Sequence, residues 1–281
     1  MFAQPSLETY RLIEQDCCVG LKKLPDASID VVVTSPPYNL GIGYKSYKDN
    51  LPIEDYLEWC MQWVSELKRV LKPNGSFFLN LGSAPSQPLM PFQLAVAIGE
   101  VWTLQNTFHW IKSITVETRK GDSVSTGHFK PINSKRFVTD CHEYVFHFSH
   151  NGKVPLHRRA IGVPYQDKSN IARWKHTEGG DLRCRGNNWF IPYQTIRQRD
   201  TDRPHPATFP VQLAEQCIRI HGVDKHSHVL DPFVGLGHAA LGAWNCGVPH
   251  FTGFDIEAAY LKRAREEIGK LAKPTGQQDL F

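Results

Sequence analysis

Ile29-Asp30-Val31-Val32-Val33-Thr34-Ser35-Pro36-Pro37-Tyr38 joins a β-branched apolar run to a proline-rich turn. Runs of this kind form buried parallel strands, which puts the turn at a strand's carboxyl end. Ligands bind at that edge in open α/β sheets, and consecutive prolines fix φ and remove two N–H donors, so the turn presents carbonyl oxygens. The Ser35 hydroxyl, the Pro36 carbonyl and the Tyr38 ring would offer two acceptors and a stacking surface to a planar amine. Cytosine or adenine meets that description once swung out of a duplex.

The flanking chain supplies the rest of a sheet. Tyr10 to Gln15 reads as a strand ending at Asp16, followed by a short helix through Leu21 and Leu24. A Gly-containing polar loop runs from Asn39 to Asn50 and is placed to cover the site. Tyr56, Leu57, Cys60, Trp63, Val64, Leu67, Val70 and Leu71 recur at helical spacing, and Lys72-Pro73-Asn74-Gly75 ends that helix. Ser76–Gly82, Phe108–Ile111 and Glu143–Phe148 read as strands, with a helix from Met90 to Trp102. This alternation predicts an α/β fold with a doubly wound, mostly parallel sheet. Gly, Ser, Thr and basic residues interrupt it between Glu117 and Arg136, and residues 115–140 are expected to form a loop facing a partner.

Residues 151–204 carry eleven Lys and Arg against five Asp and Glu, an excess of about +6 where the whole chain is +4. With Tyr165, Trp174, Trp189, Phe190 and Tyr193, this segment suits phosphate contacts with a few aromatics for packing or base contact. Its candidate DNA-binding residues are Arg158, Arg159, Arg173, Lys175, Arg183, Arg185 and Arg197. A solvated basic insertion that binds nothing is the alternative.

His205-Pro206-Ala207-Thr208-Phe209-Pro210 precedes a helix with Leu213, Cys217 and Ile220 on one face. Then Val229-Leu230-Asp231-Pro232-Phe233-Val234-Gly235-Leu236-Gly237 forms a strand and glycine turn, and a second strand ends at Asp255, eighteen residues after Gly237. Glycines there let a ligand approach the backbone, and a carboxylate at the next strand end suits ribose hydroxyls. Gly235-x-Gly237-x-x-Ala240 also fits a dinucleotide fingerprint. Only about forty residues follow it, so the sheet must be completed by strands that came earlier.

The 281 residues suffice for one α/β domain with an insertion, or for two small domains. Hydrophobic content of 41% and charged content of 21% are ordinary for a globular protein, and no apolar run approaches the ~18 residues of a membrane span. The acidic start is no signal peptide, and seven scattered cysteines without a C-x-x-C pair fit a reducing compartment, so a cytoplasmic, nucleoid-associated protein is expected. His142, His147 and His150 have no second cluster to complete a site, and no metal is expected.

The Ser-Pro-Pro-Tyr turn resembles the catalytic motif of the β-class amino-methyltransferases, which move a methyl group from S-adenosylmethionine to cytosine N4 or adenine N6 in DNA. The order of motifs from Asp16 to about Ile268 resembles that class too: catalytic loop first, recognition region in the middle, cofactor strand last. The resemblance implies a Rossmann-like, circularly permuted, seven-stranded sheet, with residues 1–150 and 205–281 as catalytic domain and 151–204 as target-recognition region. It implies catalytic roles for Ser35, Pro36, Pro37 and Tyr38. Cofactor contacts follow for Asp16, Thr34, His205, Pro206, Asp231, Phe233, Gly235, Gly237 and Asp255, with Asp231 offsetting the cofactor's positive charge. A Ser-first motif is mostly an N4-cytosine habit. N6-adenine transfer, RNA methylation and a catalytically inactive DNA-binding module are the alternatives. No Cys follows a Pro, which disfavours the covalent chemistry of cytosine C5-methyltransferases. His238-Ala239 departs from the hydroxyl residues usual after the second glycine. The tail Gln277, Leu280, Phe281 resembles the peptide with which bacterial replication and repair proteins hold the sliding clamp, and a cognate restriction endonuclease is a further expected partner.

Overall fold

The computed structural model describes residues 5–43, 47–117, 121–127, 129, 133–173, 180–192 and 208–272. The amino-terminal half contains β1 (Tyr10–Glu14), α1 (Cys17–Leu21), β2 (Ile29–Thr34), α2 (Ile53–Val70), β3 (Leu71–Leu81), α3 (Met90–Gly99) and β4 (Thr103–Ile111). It continues with β5 (Ser113–Glu117), β6 (Ser123–Gly127) and β7 (His142–Ser149). After these come α4 (Ser169–Arg173), β8 (Asn188–Phe190), α5 (Val211–His221), β9 (His228–Asp231), α6 (His238–Asn245), β10 (His250–Asp255) and α7 (Ala258–Ala272).

The main sheet has the order β1-β10-β9-β2-β3-β7-β4-β8. Every pairing is parallel except those of β7 with β3 and β4. The late strand β9 lies against the early strand β2, with Val31 opposite Val229, so the permuted chain closes into one continuous sheet. The mostly parallel α/β sheet is as expected, and β8 extends the seven anticipated strands by a short eighth.

Strand alternation divides the core. Val31, Val33 and Phe78 face α5, α6 and α7, which bring Leu213, Ala240 and Leu261. Val32, Phe77 and Leu79 face α1, α2 and α3, which bring Leu21, Trp63 and Leu94. Both sheet faces are thus covered, as a parallel sheet requires.

Three local readings change. Lys72-Pro73-Asn74-Gly75 lies inside β3: Ile29 pairs with Leu71 and Val31 with Ser76, so the turn is an irregularity within the pairing. Residues 115–140 are not simply a loop, because β5 and β6 form an antiparallel hairpin. The basic segment is partly core: Trp189 is fully buried on β8 and stacks on Phe108 at 4.3 Å, and Ile161, Tyr165 and Ile191 are buried too. No helix among the described residues is long and apolar enough to cross a membrane.

Candidate active site

Parallel strands deliver their carboxyl ends to one edge, and an open cleft of about 1030 Å³, mouth included, lies there. Ser35, Pro36, Pro37 and Tyr38 after β2 line it together with Pro232 to Leu236 after β9 and Asp255 to Glu257 after β10. Asp16 and Cys17 after β1, and Thr208 and Phe209 before α5, line it too. The proline turn and the glycine turn therefore share one cavity.

A buried hydrogen bond fixes the two loops to each other: the Thr34 hydroxyl donates to Asp231 Oδ1 at 2.6 Å. Asp231 also accepts from the Phe233 N–H at 3.0 Å. Burial pushes the Asp231 carboxyl up to about 7, against the pull of those two donors. Thr34 and Asp231, expected to touch a cofactor, are not among the residues that line the cleft: both polar groups are buried and bonded to each other. Gly237 is likewise behind the wall, at φ +83, with Ala264 Cβ only 2.7 Å from where its own Cβ would stand. It is needed for the turn into α6.

Asp255 accepts the Gly235 N–H at 2.9 Å and the Glu257 N–H at 2.8 Å, and burial raises its carboxyl. Phe233 packs edge-on against Trp59 and Trp63, forming an aromatic wall. Asp16 is exposed and caps α1, accepting from the N–H groups of Cys18 and Val19. Its carboxylate and the thiols of Cys17 and Cys18 lie within 4.8 Å of one another, the one group of metal-compatible side chains among the described residues. His238, the departure after the second glycine, lines the cleft and donates from Nδ1 to the Phe209 carbonyl. Burial lowers its pKa, and the contact ties the segment before α5 to the glycine turn.

Beside Ser35 lies a network that the sequence did not announce. Ser35 Oγ is 2.6 Å from the Tyr38 hydroxyl, which donates to Glu143 Oε2 at 3.0 Å. Asn80 Nδ2 is 2.7 Å from both the Tyr38 hydroxyl and Glu143 Oε2, and Lys112 Nζ donates to Glu143 Oε1 at 3.0 Å. These residues come from β3, β7 and the end of β4, adjacent in the sheet but far apart in the chain. A period-two reading of β7 could have flagged Glu143 as a charge in a strand otherwise rich in apolar residues. The Tyr56 hydroxyl donates to the Pro37 carbonyl at 2.8 Å, so one of the carbonyls that the turn presents already has a partner within the chain. Asp49, also unforeseen, is buried and accepts from the N–H groups of Asn39, Leu40 and Ile42, which shapes the loop after the turn.

Among the basic candidates Arg158, Arg159, Arg173 and Arg183 are exposed, whereas Arg185 is half-buried and donates to the Ile161 carbonyl. Lys175, Arg197, His205, Pro206, Gln277, Leu280 and Phe281 lie outside the described residues.

Residues 29–266 match the DNA methylase family of N6 and N4 methyltransferases. The chain belongs to this family. Type II methyltransferase M.ScaI of Streptomyces caespitosus is 31% identical over 266 residues, covering 89% of this chain and 77% of that protein. Among solved structures, the cytosine-N4-specific PvuII DNA methyltransferase superposes with a TM-score of 0.64 at 19% identity, covering 96% of this chain and 95% of that one. The TTHA0409 protein of Thermus thermophilus, complexed with S-adenosyl-L-methionine, superposes with a TM-score of 0.60 at 22% identity and 93% coverage of both chains. As a DNA methylase of β-class motif order, the protein has its proline turn and glycine turn on the shared cleft.

Proposed function

We propose that this DNA methylase transfers a methyl group from S-adenosylmethionine to the exocyclic N4 of a flipped-out cytosine. The observation that carries the reading is the Thr34–Asp231 hydrogen bond, which holds the Ser-Pro-Pro-Tyr loop against the glycine turn across one cleft. The cleft fits the cofactor: it is of ligand size, apolar on the Phe209 and Phe233 walls, and carries Asp16, Asp255 and Glu257 carboxylates for amine and hydroxyl groups. Bound there, S-adenosylmethionine would supply a methyl carbon activated by a cationic sulfur, with a neutral thioether as the leaving group once the exocyclic nitrogen takes that carbon. Ser35 Oγ and the Pro36 carbonyl accept the amine hydrogens, which localises the nitrogen lone pair, and the Tyr38 ring holds the base flat. The amine proton then leaves to solvent.

Ser at position 35, shorter and neutral where a carboxylate would be charged, favours cytosine over adenine. Adenine N6 is the second reading. Nucleoside mass spectrometry of DNA from cells expressing the gene decides: N4-methylcytosine supports the proposal, and N6-methyladenine alone replaces it with the second reading. Exposed Arg158, Arg159, Arg173 and Arg183 are proposed phosphate contacts in the 151–204 recognition region. We also assign the Gln277–Phe281 tail to a sliding clamp. Equal clamp recovery with and without Leu280 and Phe281 would dispose of that assignment. A partner endonuclease is expected if the gene neighbours one.

A further inference from the structure

The hydrogen-bond chain behind Ser35 has a direction, and that direction matters to the reaction proposed above, on which this inference rests. We propose that Glu143 is a positioning residue that acts through Tyr38 to keep the Ser35 hydroxyl pointing away from the target amine. Counting protons along the chain fixes its direction. Beside the Lys112 ammonium, the Glu143 carboxylate accepts only, so the Tyr38 hydroxyl must donate its one hydrogen to Oε2, 3.0 Å away. Asn80 must face the carboxylate with its NH2 group, because its carbonyl there would oppose an acceptor; the same NH2 reaches the Tyr38 oxygen at 2.7 Å. With its hydrogen committed, the Tyr38 oxygen is an acceptor toward Ser35 at 2.6 Å, and the Ser35 hydrogen fills that contact. Both Ser35 lone pairs then face the cleft. A target NH2 group finds an acceptor there and no competing hydrogen.

The backbone is built for this chain. A Cβ at Gly82 would stand 3.0 Å from Tyr38 Cε2 and 3.2 Å from Glu143 Cδ, so the approach of ring and carboxylate depends on a residue without a side chain. Glu143 is placed by register: it pairs with Trp110 on β4, two residues before Lys112, while Asn80 on β3 pairs with Val145 from the other side. Neutral Gln at 143 offers an NH2 that can donate to the Tyr38 oxygen. Tyr38 would then turn its hydrogen to Ser35, and the Ser35 hydrogen would turn into the cleft against the amine.

The test is a double-mutant cycle in single-turnover methyl transfer to DNA, with cofactor affinity measured alongside by calorimetry. Glu143→Gln should lower the transfer rate by at least about tenfold and leave cofactor affinity within about twofold. Tyr38→Phe keeps the ring and removes the relay, so Glu143→Gln in the Tyr38→Phe background should cost about twofold or less. Equal losses in both backgrounds, or an unchanged rate, would overturn the inference. Lys112→Met loosens the carboxylate without touching Tyr38 and carries the same cycle should Glu143→Gln fail to fold. Its loss must likewise vanish in the Tyr38→Phe background. A wild-type protein that methylates neither cytosine nor adenine refutes the proposed function instead, since the cycle needs a wild-type rate to start from.

Discussion

Asp231→Asn should reverse a pH-dependent cost that the fold carries at the hinge between its two loops. The substitution keeps the acceptor oxygen for the Thr34 hydroxyl and the Phe233 N–H, and it removes a carboxylate that is 1% exposed. A carboxyl raised from 3.8 to about 7 holds its proton more tightly in the folded chain than in the unfolded one. Its ionisation therefore lowers stability progressively as pH rises from about 4 to about 7, by roughly 4 kcal/mol in total. Between pH 5 and pH 8 the cost grows by about 2.5 kcal/mol, which is a large fraction of the usual 5–15 kcal/mol of net stability. The new Asn Nδ2 lacks an assigned acceptor and adds an offset of about 1–3 kcal/mol that does not vary with pH. Urea unfolding of both proteins at pH 5 and pH 8, without ligand, gives the quantity needed. Variant stability minus wild-type stability should rise by about 2.5 kcal/mol over that interval, with titrating groups that do not interact with Asp231 cancelling in the difference. A difference independent of pH would mean that Asp231 is not held near neutrality, and the account of the Thr34–Asp231 tie would fail.

Ser35→Ala should lower methyl transfer by about a hundredfold and leave cofactor affinity nearly unchanged, read from turnover and calorimetry; an unchanged turnover removes Ser35 from the mechanism. Burial lowers His147 to about 3 and His221 and His228 to about 4, so all three fold as neutral rings while the unfolded chain protonates near 6.5. The contribution of these three histidines is thus fully present above pH 6.5 and is lost as pH falls toward 4, and His147→Gln should flatten that part of the acid slope in thermal unfolding. Trp189→Ala empties a fully buried site against Phe108 and should cost about 3–5 kcal/mol; a loss of DNA binding with stability unchanged would instead place Trp189 on the substrate.

Much of the site was legible because its parts are contiguous. Ser35, Pro36, Pro37 and Tyr38 follow directly on a β-branched run, Gly235 lies in the turn after a second strand and Asp255 ends a third, so strand position alone brought them to one edge. What escaped depends on lateral neighbours in the sheet. Glu143, Asn80 and Lys112 converge only because β7 runs antiparallel between β3 and β4, a pairing with no local signature. Trp189 was read with the basic segment because composition dominates a window, whereas three residues adding to the sheet edge do not. Thr34 and Asp231 were read only for their place in their motifs, and the hydrogen bond between them, which joins strands distant in the chain, had no local signature.

That hydrogen bond bears on how the two loops work as one. A hydroxyl from β2 and a carboxylate from β9 meet across 197 positions of sequence, directly below the turns that carry the proposed acceptors and the proposed cofactor wall. An unpaired charge at that depth would be expelled or protonated, so the contact forms only when both strands are in register. The cost of burying Asp231 therefore acts as a register check: a slip of β9 against β2 would strand the carboxylate and separate the turns at once. Near neutral pH the same carboxyl lies close to its own midpoint, where the strength of the tie varies with proton concentration. Alignment of the two turns and stability of the sheet are thus set by one buried pair, and Thr34→Val should loosen both together: cofactor affinity and unfolding midpoint fall in parallel, whereas a variant that loses only one of them would show that the pair does not join the loops.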